Sequence, residues 1–207
     1  MQSGQLSSPS PGDAVDLSFE LLGSILAADY ADGLWAALVS AAPWLADEPD
    51  AGMHPVRAAF SGGERLLTRR SKLLLRVPAS RVDDAMRLCG RILSIEPEPV
   101  SLGVARPRML QAAPTVGAAF VVSGTADELE HHRRLTRMVE ELGLPDHLIF
   151  GRMTGSRIGA QAVAGSSMVV HRLKPEQSLR LLNHGLGPHR SHGCGLFVPY
   201  KLIDGLD

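Results

Sequence analysis

Aromatic side chains are scarce in this chain, with Phe, Trp and Tyr together making up 4% of its 207 residues. The core therefore has to be aliphatic. A strand rich in stacked aromatics, the usual way a small sheet reads single-stranded bases, is not to be expected. Cysteine is almost absent too: Cys89 and Cys194 stand far apart and in no CxxC pair. That argues against a disulfide scaffold and a cysteine zinc site, and fits a reducing cytoplasm, the expected location. No run of ~18 apolar residues is present, so no membrane span is expected. Residues Met1 to Gly12 are rich in Ser, Pro, Gly and Gln and lack the basic and apolar stretches of a signal peptide. They read as part of a flexible tail over residues 1–14.

Net charge is nearly absent as well, at −1. On that total alone a polyanion partner would not be proposed. The distribution says more. Residues 1–60 carry eight acids and one base, and residues 61–91 eight bases and three acids. Residues 92–149 carry eight acids and five bases, and residues 150–207 seven bases and three acids. Two basic segments alternate with two acidic ones. Brought together by folding, the basic segments would form a positive groove that binds a polyanion in a salt-dependent way. Solvated surface charge is the alternative.

What is present in abundance is patterned aliphatic sequence. Alternation over Asp16–Gly23 predicts a strand, and the Ala- and Leu-rich stretch Asp29–Ala42, stopped by Pro43, predicts a helix. His54–Phe60 and Lys72–Val77 predict two strands around the turn Ser61-Gly62-Gly63. Ser80 starts a helix with Val82, Ala85, Met86 and Cys89 on one face, and short extended segments follow to about Val104. The order then repeats. Val116–Val122 predicts a strand and Asp127–Leu142 a helix with Leu135, Met138, Val139 and Leu142 inward. His147–Arg152 and Gln161–His171 predict strands around a basic hairpin loop, Pro175 starts a helix, and Leu196–Leu202 is the last strand. The fold class is α+β: two ferredoxin-like βαββαβ domains in tandem, residues 15–106 and 107–207, with a glycine-rich loop before the last strand. The fold is widely reused and gives no function by itself.

Chemistry-bearing residues fall in three groups. The loop from Gly185 to Gly195 interleaves Gly185, Gly187, Gly193 and Gly195 with His189, Arg190 and His192. One or two glycines would serve a helix cap and a turn; four, set among cations, predict an anion-binding loop. Apart from Cys194, no carboxylate or thiolate stands in companion spacing to His184, His189 and His192, so no metal and no cofactor is expected. His131 and His132, adjacent on a helix, read as solvated surface. In the first half, His54 stands where a loop enters a strand, and an imidazole titrates near neutrality, as acid–base work requires. Tyr30, at the start of the first helix, either faces the same cleft or packs on the core. Arg65, Arg69, Arg70 and Lys72, followed by Arg76, form the third group; Lys72 and Arg76 alternate with Leu73 and Leu75 and predict a cationic sheet face. Arg152 and Arg157 are similar candidates in the second half.

The ending GLGPHRSHGCGLFVPYK, together with PWLADEPDAGMHP and LLTRRSKLLLRVP, resembles the CRISPR-associated repeat-processing endoribonucleases of the RAMP superfamily, Myxan-type subfamily. The resemblance spans Asp16 to Lys201. It implies tandem ferredoxin-like domains and binding of the repeat segment of precursor CRISPR RNA. It also implies metal-independent attack of a 2′-hydroxyl on the adjacent phosphate, leaving a 2′,3′-cyclic phosphate and a 5′-hydroxyl. The product would stay with other Cas subunits in a Cascade-like complex. On this resemblance His54 matches the histidine of a GxHP stretch and Lys72 would stabilise the phosphorane. Arg69, Arg70, Arg152, Arg157 and the glycine loop would hold RNA. Tyr30 falls where many relatives place a histidine. That departure leaves three outcomes: His54 transfers protons with Tyr30 assisting, catalysis is slow, or the chain is a non-catalytic RNA-binding subunit. A two-histidine phosphoesterase is disfavoured, because only His189-Arg190-Ser191 fits its motif. A ferredoxin-like metabolic enzyme binding a small anion is the remaining rival.

Overall fold

A computed structural model describes residues 13–200. The first half runs β1 (Ala14–Leu22), β2 (Ile25–Ala27), α1 (Ala31–Ala41), β3 (Gly52–Met53), β4 (Ala59–Ser61), β5 (Glu64–Leu66), β6 (Lys72–Pro78), α2 (Val82–Met86), β7 (Ile92–Leu93) and β8 (Val100–Met109). The second runs β9 (Thr115–Val122), α3 (Glu128–Glu141), β10 (Leu148–Phe150), β11 (Thr154–Ile158), β12 (Gln161–His171), α4 (Pro175–His184) and β13 (Val198–Pro199).

Two antiparallel sheets result, ordered β3-β6-β1-β8-β7 and β10-β12-β9-β13, with β11 paired to β12. Counting only the strands of each βαββαβ unit, both have the spatial order second, third, first, fourth. That is the ferredoxin-like arrangement, once in each half. Alternation on the strands sorts the faces. Leu17, Phe19 and Leu21 of β1, with Leu73, Leu75 and Val77 of β6, pack against Leu34 and Leu38 of α1 and Ala85 of α2. In the second half Val116, Ala118, Met168 and Val170 pack against Leu135, Val139, Leu181 and Leu182. Each sheet thus has its helices on one face, leaving the other face to build a site.

Several expected elements differ. The stretch expected as one strand over His54–Phe60 splits: β3 ends at Met53, while β4 pairs with β5 in a separate three-stranded sheet with β2. Pro55 interrupts the run, since it has no N–H to give the ladder. The helix expected to reach Cys89 is α2 alone, preceded by a 3₁₀ turn over Ala79–Arg81. The second basic hairpin is longer than expected, because β11 pairs Thr154–Ile158 with Gln161–Gly165. Strand β8 runs through residue 107 to Met109, and the chain crosses between sheets at residues 110–114. The tail expected over residues 1–14 lies outside the described residues up to Gly12, and Ala14 already stands in β1. The expected end of the last strand, Lys201 and Leu202, also lies outside them.

His131 overturns its reading as solvated surface. It is fully buried, one turn before Leu135 on the inward face of α3, between the hydroxyls of Ser123 (2.7 Å) and Ser166 (3.1 Å). Its neighbour His132 stacks on Phe150 at 4.3 Å. Among the described residues no helix is long and apolar enough to cross a membrane.

Candidate active site

The site begins with a register. On the helix-free face of the first sheet, Asp16 of β1 stands opposite Arg76 of β6, and Glu20 opposite Lys72. Arg76 is fully buried. Its Nε and Nη2 donate to the two oxygens of Asp16 at 2.7 and 2.9 Å, and Nη1 donates to the carbonyls of Leu182 and Phe197 at 2.8 and 2.9 Å. Those carbonyls belong to the second domain. The expected cationic face is therefore corrected at one of its two members: Arg76 ties the domains together, whereas Lys72 remains partly exposed, 3.5 Å from Glu20.

His54 follows β3, and its N–H donates to the carbonyl of Leu74 at 2.9 Å, which sets it beside β6. The residue is 8% exposed, with Nε2 3.5 Å from Asp16 Oδ1. That separation is long for a hydrogen bond, and among the described residues Nε2 has no hydrogen-bond partner. Burial holds the imidazole below its ordinary value; Asp16 pulls the other way, and the positive charges of Arg76 and Arg190 side with burial. His54 is thus neutral near pH 7 and able to accept a proton. Burial alone would raise the Asp16 carboxyl, but the Arg76 hydrogen bonds and the His54 contact outweigh it and hold Asp16 far below the usual carboxylate range. A permanent anion behind a neutral imidazole stabilises the imidazolium formed when that imidazole takes a proton.

Tyr30 is buried at the start of α1, and its hydroxyl accepts the Val56 N–H at 2.6 Å. Burial raises the phenol above its ordinary value, opposed by the Val56 bond and by Arg65, whose guanidinium lies 5.5 Å from the ring centre. Tyr30 therefore pins the backbone two residues beyond His54.

The glycine-rich loop closes the site from the second domain. Gly193, at φ +82°, packs on the His54 segment so tightly that a Cβ there would come within 2.8 Å of Pro55 Cδ and 3.1 Å of the Met53 carbonyl. Gly195, at φ +64°, lies against the Leu186 carbonyl with no room for a Cβ, and its N–H donates to Phe120 O at 2.8 Å. Gly185 and Gly187 share the positive φ. Gly193 serves backbone approach across the domain seam, while Gly185, Gly187 and Gly195 let the loop pack on backbone of its own domain. Arg190, expected to hold phosphate, is 9% exposed and donates to the carbonyls of His184, Asp50 and Asn183. Its geometry is that of a cross-tie. His192 is bonded to Asp32 of α1 (2.6 Å) and to Ser191 (2.8 Å). His189, half-buried with φ +68°, has no side-chain partner among the described residues.

Arg69 and Arg70 lie exposed in the turn before Lys72, held by Thr68 and Ser71. Arg152 and Arg157 are exposed, Arg152 between β10 and β11 and Arg157 on β11. Sequence reasoning missed Asp16, whose signal is an acid on a strand opposite an arginine, and Arg106 and Arg108, which fall where the domain boundary was expected. Among the described residues no group of three or more His, Cys, Asp or Glu is placed to hold a metal ion.

Two ferredoxin-like domains, a histidine backed by a buried Asp–Arg pair and a glycine-rich loop at the seam make up the candidate site. A family model described as Cas6 CRISPR matches residues 15–202. The CRISPR-associated endonuclease Cas6 of Myxococcus xanthus is 33% identical over 186 residues, covering 89% of this chain and 81% of that protein. The chain belongs to the Cas6 family. Its fold is shared by a Cas6-related protein of Pyrococcus furiosus (13% identity, TM-score 0.63, covering 93% of this chain and 100% of that one). A Thermus thermophilus Cse3, bound to an RNA representing a pre-cleavage complex, is also similar (16% identity, TM-score 0.50, 89% and 98% covered).

Proposed function

We propose that this chain is an endoribonuclease that binds CRISPR repeat RNA and cuts the precursor by attack of a 2′-hydroxyl on the adjacent phosphate, without a metal. Kinship with the Myxococcus endonuclease supports the RNA-processing reading. The observation that carries the chemistry is His54: a buried, neutral imidazole backed by the ionised Asp16.

In this reading His54 takes the proton of the 2′-hydroxyl as the 2′-oxygen bonds to phosphorus. The P–O5′ bond breaks, and the leaving oxygen takes up a proton from the imidazolium or from water. A 2′,3′-cyclic phosphate and a 5′-hydroxyl result. Lys72 stands on the same face, two residues along β6 from Leu74 and so ~7 Å from the His54 row. A lysine side chain spans that distance to a phosphorane oxygen. Tyr30 acts through the segment it pins, as a positioning residue. The cut RNA then remains with the protein and other Cas subunits in a Cascade-like complex.

The test is cleavage of the cognate repeat RNA in EDTA by wild type and His54→Ala, with a 2′-deoxy substitution at the cut site. Cutting by wild type alone, and only of the ribose substrate, is expected. Tight binding by a wild-type protein that never cuts would make this a non-catalytic RNA-binding subunit.

A further inference from the structure

The register of the first sheet extends the His54 row across the molecule. His54 lies beside Leu74, Leu74 opposite Ser18, and Ser18 opposite Arg106. The next row reads Gly52, Arg76, Asp16, Arg108. Directly opposed residues share a face. Arg106 and Arg108 therefore stand on the same helix-free face as His54, with Arg106 three strand spacings, ~14 Å, from it.

On this face each acid already has its base: Asp16 is held by Arg76 and Glu20 by Lys72. Arg106 and Arg108 are exposed, and among the described residues neither has a hydrogen-bond or ion-pair partner. Arg108 stands opposite Asp16 on the ladder, but the Asp16 carboxylate is paired with Arg76 and makes no bond to Arg108. The face thus carries two unneutralised guanidinium groups at one margin and the neutral His54 at the other, with Leu74 and Ser18 between. β7 pairs with Val100 and Ser101, so among the described residues β8 has a free edge at Arg106-Pro107-Arg108. Edge protection accounts for Pro107 and for one charge. It would be served as well by charge on the other face.

We propose that this face is a phosphodiester track, along which a single-stranded segment of the RNA runs from Arg106 and Arg108 across Ser18 to His54. The proposal rests on the ribonuclease reading above. Guanidinium groups bind phosphate through paired N–H donors, and the small Ser18 leaves the path clear.

The experiment measures repeat-RNA affinity against salt for Arg106→Ala/Arg108→Ala, for Arg106→Lys/Arg108→Lys, and for Arg137→Ala on the outer face of α3. The double alanine variant should flatten the slope of log affinity against log salt by about 1.4, from ~0.7 per phosphate contact of a single strand. The lysine variant should keep the slope, since each ammonium still neutralises a phosphate. An unchanged slope in the double alanine variant, or an equal fall in Arg137→Ala, overturns the track. Wild type and His54→Ala run beside them separate the two ideas: a wild type that never cuts sinks the ribonuclease reading, and a His54→Ala variant that cuts like wild type sinks the role of His54, whatever the arginines do.

Discussion

Asp32 and His192 meet across the two domains, with His192 Nε2 2.6 Å from Asp32 Oδ1. The other carboxylate oxygen of Asp32 accepts the N–H of Gly159, at the tip of the β11–β12 hairpin, at 2.7 Å. One side chain on α1 thus holds both the glycine loop and the hairpin that carries Arg157. Replacing Asp32 with Ala should free the hairpin tip and weaken RNA binding about threefold to tenfold, the yield of charge-assisted bonds after solvent screening. The single-turnover rate at saturating RNA should be kept. Hydrogen exchange over residues 154–163 would report the loosening; unchanged protection there would show that the clasp holds nothing.

Arg76 is the costliest cation to remove. Arg76→Met leaves the Asp16 carboxylate buried without its partner and should lower stability by about 3–5 kcal/mol. Pairing it with Asp16→Leu should recover most of that loss. Urea unfolding of the two variants makes the comparison, and equal midpoints would refute the argument.

Acid should act on this site in two stages. His54 has a folded value below its unfolded one, so the unfolded chain binds more protons as pH falls through about 6.5, and stability begins to drop there. Asp16 is also depressed, so its contribution is complete above about pH 4 and is lost only below it. As a base, His54 works unprotonated, so cleavage should be flat across neutral pH with its acidic limb below pH 6.5. A limb centred at or above 6.5 would assign the proton transfer elsewhere.

Gly195→Ala should cost several kcal/mol, since it combines a left-handed φ with a Cβ driven onto the Leu186 carbonyl. Gly155→Ala, with nothing within 4 Å of the added methyl, should stay within about 0.5 kcal/mol of wild type. Thermal melts of the two variants distinguish a glycine fixed by packing from one that is merely present.

The doubled βαββαβ order was legible because aliphatic alternation and helical spacing are local; β12 and α4 fall where their patterns begin and end. What was not legible is which surface meets the other domain. Lys72 and Arg76 have the same alternation on one strand, yet the carbonyls of Leu182 and Phe197, more than 100 residues away, bury one and leave the other half-open. His131 was misread for the same reason, since Ser166 reaches it from a distant strand. The glycine loop was found by composition, but its glycines answer to close backbone contact, which composition cannot separate from anion binding. Arg106 and Arg108 went unremarked because their meaning lies in what they stand opposite.

The four hydrogen bonds of Arg76 have a consequence for how the molecule comes apart. A half-chain ending at the crossing between sheets would keep Asp16 but lose the two carbonyls that solvate the remaining face of the guanidinium. Each half is a complete fold on paper and an incomplete solvent for its own buried charge. The protein should therefore melt as a single cooperative unit, and its two halves, expressed separately, should find each other before either is stable.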